Sequence, residues 1–162
     1  MNLKPRQMER DPIVPGETDL QPDADAQNTV WVGLMRAYLV HLLAGRSREA
    51  HALILERANT RDDIRSIYFN VLLPAQEEVG RLWQSGRIQD SDEHSLTLTT
   101  QRIIDALPVR IFARPALGVS VVVTTAPGDL HDIGARVIAD CLEMDGWDSL
   151  FLSSPRDEEE VL

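Results

Sequence analysis

The hydrophobic period changes once along the chain, and that change limits the folds open to it. From Thr29 to Leu107 apolar residues recur at three- and four-residue steps, as amphipathic helices require. From Gly118 the run GVSVVVTT is continuous and β-branched, as in a strand buried on both faces of a parallel sheet. A parallel strand needs a crossover before its neighbour can pair, and the following residues supply one. They read as a glycine-containing loop, APGDLHDIG, a helix, a DGW turn and a short second strand, DSLFL. The helix carries Ile133, Val137, Ile138, Cys141 and Leu142 on one face. The expectation is an α/β chain: a four-helix cap bundle followed by a Rossmann-like βαβ unit. Two parallel strands and one helix leave a sheet face bare, so this unit is read as incomplete (truncated): the chain is a fragment, another chain completes it, or the lone unit packs on the bundle.

Within the helical part, TVWVGLMRAYLVHLLAG gives a first helix with Trp31, Leu34, Met35, Tyr38 and Leu42 inward, and His41 at the edge of that stripe. Gly45 is its expected stop. Ser47 is placed to cap a second helix, with Ala50, Leu53 and Ile54 on one face. Thr60 is placed to cap a third, whose stripe runs Ile64, Ile67, Tyr68, Val71 and Leu72, then Val79, Leu82 and Trp83. Pro74 lacks an amide proton, so a kink or two consecutive helices are expected there. Asp90 or Ser91 opens a fourth helix with Leu96, Ile103, Ile104 and Leu107 inward. These stretches set the expected boundaries. Residues 1–28 are an acidic, proline-containing tail too poor in large apolar side chains to order itself. The cap bundle spans 29–107, a linker 108–116, and the partial Rossmann-like domain 117–162.

Composition excludes several functions. The 162 residues contain 16 Lys and Arg against 26 Asp and Glu, a formal net charge of -10. Such a chain is a poor ligand for DNA or an anionic membrane. Cys141 is the one cysteine, which excludes an intramolecular disulfide and a cysteine zinc cluster. No apolar run approaches the roughly 18 residues of a membrane span. The N-terminus has no apolar signal core, so the expected location is cytoplasmic.

Two constellations carry chemistry. In the loop after the first strand, Asp129, His131 and Gly134 form D-x-H-x-x-G. Open α/β sheets bind ligands at the carboxyl ends of their strands. An imidazole there is available to a metal, and a carboxylate two residues earlier can take the other ring proton and fix the tautomer. Gly134 lets a bulky group approach the backbone. One histidine does not hold a bare ion, so the metal is expected to arrive inside a cofactor. The plain alternative is a polar loop with a helix-capping aspartate. The second constellation is Trp83, Glu93 and His94, W-x(9)-E-H, across a short turn between antiparallel helices. That end of the bundle can offer an aromatic wall and two polar groups to a planar ligand. Its plain alternatives are core packing for Trp83 and an Asp90–Glu93 capping box. His41 and His51 read as packing or surface residues, Cys141 as an inert core thiol, and Asp157–Glu160 as a solvated charge run.

With these residues in view, the chain resembles the cobalamin-binding modules. GDLHDIGARVIADCLEMDGW is similar to that family's first strand–loop–helix unit, and LLPAQEEVGRLWQSGRIQDSDEH to the cap of its light-sensing branch. The resemblance covers about residues 30–155. It implies that His131 is the lower axial ligand to cobalt, with Asp129 hydrogen-bonded behind it. It implies that Gly134 flanks the slot for the nucleotide tail, and that Trp83, Glu93 and His94 cover the upper, adenosyl face. The chain departs from the pattern in three places. It has no N-terminal DNA-binding domain, Gln84 stands where the photoreceptors carry a histidine, and the later Ser-x-Leu and Gly-Gly motifs are absent. The implied function is a non-enzymatic, cobalamin-binding regulatory protein of the light-sensing type. Its cofactor would be adenosylcobalamin, with methylcobalamin as the alternative, and it would act on a protein partner or a second copy. The competing expectations are a corrinoid methyl-carrier subunit of a methyltransferase system and a truncated fragment that binds nothing.

Overall fold

A computed structural model describes residues 22–107, 117–129 and 131–153, with side chains from Asn28 onward. In chain order the elements are α1 (Pro22–Leu43), α2 (Ser47–Leu55), α3 (Arg61–Ile67), a π-helical turn (Tyr68–Leu72), α4 (Leu73–Gln84), α5 (Asp90–Ala106), β1 (Ser120–Thr124), α6 (Ile133–Met144) and β2 (Asp148–Leu152). The chain is mostly helical with a small parallel sheet, in keeping with the α/β class. Among the described residues no helix is long and apolar enough to cross a membrane. The expected linker, 108–116, and charge run, Asp157–Glu160, lie outside the described residues, as does the tail up to residue 21. Residues 22–28 are helical rather than part of a tail. Pro22 opens α1, where a missing amide proton costs nothing.

The apolar stripes close one core. Leu34, Tyr38 and Leu42 from α1 meet Ala50 and Ile54 from α2, Ile64 through Val79 from the α3–α4 rod, and Ile103 and Ile104 from α5. Thr60 caps α3 through a reciprocal box with Asp63. Ser47 does not cap α2: Arg46 occupies the N-cap position, and the Ser47 hydroxyl lies 3.3 Å from that of Thr99. Two consecutive helices meet near Pro74, as expected: α3 stops at Ile67 and Pro74 stands in the first turn of α4. Between them the chain widens by one π-turn, so that the Leu73 amide donates to the Tyr68 carbonyl five residues back. Backbone angles on both sides of that turn stay helical.

Two tyrosines are fully buried in this core, and each hydroxyl needs a partner. Tyr38 and Thr100 are hydrogen-bonded at 2.8 Å; burial still lifts the Tyr38 hydroxyl pKa to about 12. Tyr68, the first residue of the π-turn, donates to Asp140 of α6 at 2.5 Å. Asp140 also accepts from Arg136 Nε, and Arg136 Nη1 reaches Asp105 of α5 at 3.2 Å. The Arg65–Asp145 pair and a bond from Arg61 to the Met144 carbonyl extend the joint. α6 therefore docks on the helical half by a stripe of Ile133, Val137, Asp140 and Met144. That choice turns Ile138 outward, 55% exposed, against the inward placement its apolar character suggested. Cys141 is half-buried against the core, and burial raises its thiol pKa.

β1 and β2 pair in parallel, Val122 opposite Leu150. Phe151 lies under the Arg136 guanidinium of α6, 5.6 Å from the ring centre. Alternate residues point the other way, and there Val122 and Leu150 are 44% and 56% exposed. The described strands thus have one covered face and one bare face.

Tyr68→Phe should destabilise the fold by about 1–3 kcal/mol in urea titration, because Asp140 loses a donor while staying buried. Burial dominates at Asp140 and raises its carboxyl pKa in the folded state. The folded chain then holds that proton more tightly than the unfolded chain, whose aspartates titrate near about 3.9. Asp140 therefore adds stability as pH falls through the window between the two values, and that gain is lost above it. Measured against Asp140→Asn, the wild type should gain relative stability from neutral pH toward about pH 4. A difference independent of pH would contradict this.

Candidate functional site

The loop that follows β1 is built by local turn chemistry. Ala126–Pro127–Gly128–Asp129 is a tight turn closed by the Asp129 amide on the Ala126 carbonyl, 3.0 Å. Pro127 fixes the first corner, and Gly128, with φ at +81°, supplies the second. Thr125 Oγ1 donates to the Asp129 carbonyl. Asp129 Oδ1 in turn accepts from the His131 backbone amide and lies 2.9 Å from His131 Nδ1. These two bonds, the backbone one first, hold the Asp129 carboxyl below its ordinary range. An ionised carboxylate can only accept, so Nδ1 carries the proton on the neutral ring and Nε2 presents its lone pair. The His131 side chain is 93% exposed, so that lone pair is open to an incoming ligand.

Asp132 stands at the N-cap of α6 yet makes no side-chain cap. Its carboxylate accepts instead from Gln101 of α5, 2.7 Å, and from Ser153 after β2, 3.0 Å. Thus the loop is tied to the helical half one residue beyond His131. Gly134 lies in the first turn of α6 with an ordinary φ, and a methyl group built there meets nothing within 4 Å. Nothing among the described residues requires glycine at that position.

At the far end of α5 the second constellation forms around another turn. α4 ends at Gln84, and Gly86, φ +68°, turns the chain, with Gly86 and Arg87 amides bonded back to the Trp83 and Leu82 carbonyls. The chain reverses there, so Trp83 comes beside the start of α5. Its indole N–H donates to Asp90 Oδ1 at 2.6 Å, and the side chain remains 42% exposed. Trp83 is therefore a held surface aromatic, not a core residue. The capping box of α5 is Gln89 with Asp92. That leaves Glu93 outside the cap; its carboxylate accepts from Thr97 Oγ1, 2.8 Å. His94 is exposed in the first turn.

One stripe of α5 connects the two ends. His94, Leu98, Gln101 and Asp105 follow at helical steps. The lower pair, Gln101 and Asp105, meets Asp132 and Arg136. The upper pair stays exposed, with Leu98 at 39%. Glu93 and Gln101 are separated by about 12 Å of helix. The structure therefore sets Trp83, Glu93 and His94 at one end of a stripe whose other end carries the Asp129–His131 loop. Among the described residues no cluster of three or more His, Cys, Asp or Glu side chains could hold an ion. A lone exposed Nε2 suits a metal that brings its other ligands with it.

Pattern reading missed Leu98 and Gln101, and it gave Asp90 only as a helix opener or cap, not as the partner of Trp83. Leu98 has a signal in retrospect: it is a large apolar side chain one turn after His94, off the buried stripe. Asp90 and Gln101 have none, since a surface polar residue on a helix is unremarkable until its partner is known.

Residues 34–107 match the sequence profile of a family described as a B12 binding domain. The match runs from within α1 to the residue after α5. It takes in Trp83, Glu93 and His94 and stops short of Asp129, His131 and Gly134. It supports a module for cobalamin, the B12 cofactor, in this chain. No curated protein matches the chain.

Because Gly134 is unconstrained by its neighbours, Gly134→Ala should raise the stability of the cofactor-free protein by up to about 1 kcal/mol, through helix propensity alone. A thermal melt in the absence of cobalamin checks this. A lower melting temperature would mean that an unseen contact needs the glycine.

Proposed function

We propose that the chain is a non-catalytic cobalamin-binding regulator that responds to the ligand on the upper face of the cofactor, adenosylcobalamin in the first place. The observation that carries this reading is the Asp129–His131 pair, which fixes the imidazole and leaves Nε2 open. The B12 binding domain match over the helical half supports it independently. Bound adenosylcobalamin supplies a cobalt–carbon bond that visible light breaks.

On this reading His131 Nε2 would be the protein's ligand to the cobalt, and Asp129 would keep the ring oriented and basic. Gly134 leaves space beside the loop for the cofactor's nucleotide tail. Trp83, fixed by Asp90, and Leu98 form an apolar wall toward the upper face, with Glu93 and His94 as polar contacts. An apolar group on the cofactor would cover that wall, and a cofactor without one would leave it exposed. The two conditions therefore favour different arrangements of the helical half or of its contacts with a partner. The net charge of -10 directs the response to a protein partner or a second copy rather than to nucleic acid. The proposed setting is the cytoplasm.

The test is made in the dark. Purified protein is mixed with adenosylcobalamin and desalted, and its visible spectrum and gel-filtration volume are recorded before and after green light. Colour should stay with the wild type, and light should change both readings. His131→Ala should bind at least tenfold more weakly. Gly134→Ala should also bind more weakly despite its more stable apo form. Loss of all colour from the wild type would overturn the reading. Retained colour with an assembly indifferent to light would favour a corrinoid methyl carrier.

A further inference from the structure

A cavity of about 210 Å³ lies where α5, the start of α6 and the end of β2 converge. That is many times the roughly 15 Å³ that admits one water. Its polar wall is Gln101, Asp105, Asp132 and Arg136, and its apolar wall includes Ile133 and Phe151. Asp132 is the residue after His131, so one wall of the cavity stands next in the chain to the histidine that the proposed function gives to cobalt.

The wall is mixed in a particular way. Arg136 offers N–H donors, but Asp140 and Asp105 already engage it through Nε and Nη1. Asp132 accepts from Gln101 and Ser153, and Asp105 contacts Arg136 through one oxygen. A carboxylate offers more acceptor positions than these bonds use, and a guanidinium more donors. A guest therefore meets acceptors and donors together. The formal charge of the lining is negative: Asp105 and Asp132 against Arg136. A group that both donates and accepts while staying neutral fits this wall. A carboxylate does not, because it can only accept and it repels the aspartates.

We propose that this cavity receives one neutral carboxamide arm of the corrin ring and rejects the corresponding carboxylate, with Asp132 and Asp105 setting that preference. The inference rests on the cobalamin reading and adds a specificity to it: the protein distinguishes fully amidated cobalamin from its partly hydrolysed forms.

The experiment titrates the full chain with cobalamin and with its separate monocarboxylic acids, each carrying one hydrolysed side-chain amide, at neutral pH. Binding is followed by visible absorbance and by quenching of tryptophan fluorescence. The wild type should bind cobalamin and discriminate at least tenfold against one of the acids. Asp132→Asn should cut the discrimination against that same acid to less than about threefold, and Asp105→Asn should reduce it in the same direction. Thermal melts confirm that both near-isosteric variants fold. Equal affinity of the wild type for every acid and for cobalamin overturns the proposal while leaving the cobalamin reading intact. Discrimination unchanged in both variants also overturns it. Failure of the wild type to bind cobalamin overturns the cobalamin reading itself, and this inference with it.

Discussion

The hydrogen bond from the Tyr68 hydroxyl to the buried Asp140 carboxylate joins the two halves of the described structure. A carboxylate excluded from water is costly unless it is paired and hydrogen-bonded. Tyr68 supplies one donor and Arg136 another. The tyrosine reaches across because it begins the π-turn of the α3–α4 rod. Its placement therefore depends on the same local widening that accommodates Pro74. With α6 pinned there, its first turn lies against α5, and the loop before it is tied to α5 by Gln101 and Asp132. The position of His131 relative to the helical half follows from that chain of contacts.

The candidate site has two ends with different kinds of order. The lower end is set by backbone: a proline–glycine turn, an aspartate bonded to the amide two residues on, and an imidazole held by the same carboxylate oxygen. Such an arrangement exists before any ligand arrives, so little orientation of the imidazole remains to be lost on binding. The upper end is set by side chains. Trp83 is held by Asp90 and Glu93 by Thr97, while Leu98 stands exposed between the two ends. An exposed aromatic and an exposed leucine on one side of a helical pair are worth little to the fold, and they gain most when an apolar surface covers them. On the proposed reading, the lower end provides anchorage and the upper end provides the response.

Much of this was legible in the sequence, and the remainder was hidden for definable reasons. Hydrophobic period located the helices because Leu34, Tyr38, Ile64, Val79 and Ile103 bury themselves at helical steps. The β-branched run and the glycine-containing loop after it located β1 and the connection that follows. Period does not register buried polar groups, so Asp140, Thr99 and Thr100 escaped it although all three are buried. The consequence is visible at Ile138. The apolar stripe suggested that it faced inward, yet α6 rotates to bury Asp140 against Tyr68, and Ile138 turns outward. Spacing brought out Asp129 with His131 because a two-residue separation is short enough for one carboxylate to reach both amide and ring. Spacing did not bring out Gln101, whose partner Asp132 is 31 positions away. Trp83 lay on the border between the two kinds of evidence. Its stripe placed it in the core, and only the Gly86 turn and the Asp90 hydrogen bond show it held at the surface.

The central claim is that His131 Nε2, fixed by Asp129, is the ligand this chain offers to cobalt. Electron paramagnetic resonance of the protein loaded with cob(II)alamin tests it at the atom concerned. The spectrum is taken once with ordinary protein and once with protein labelled with ¹⁵N only at histidine. If His131 coordinates, the nitrogen splitting of the cobalt lines should change from triplets to doublets on labelling, and His131→Ala should abolish that change. A splitting that stays in triplets with labelled protein would show that the cobalt keeps the cofactor's own nitrogen base, and that His131 does not coordinate it.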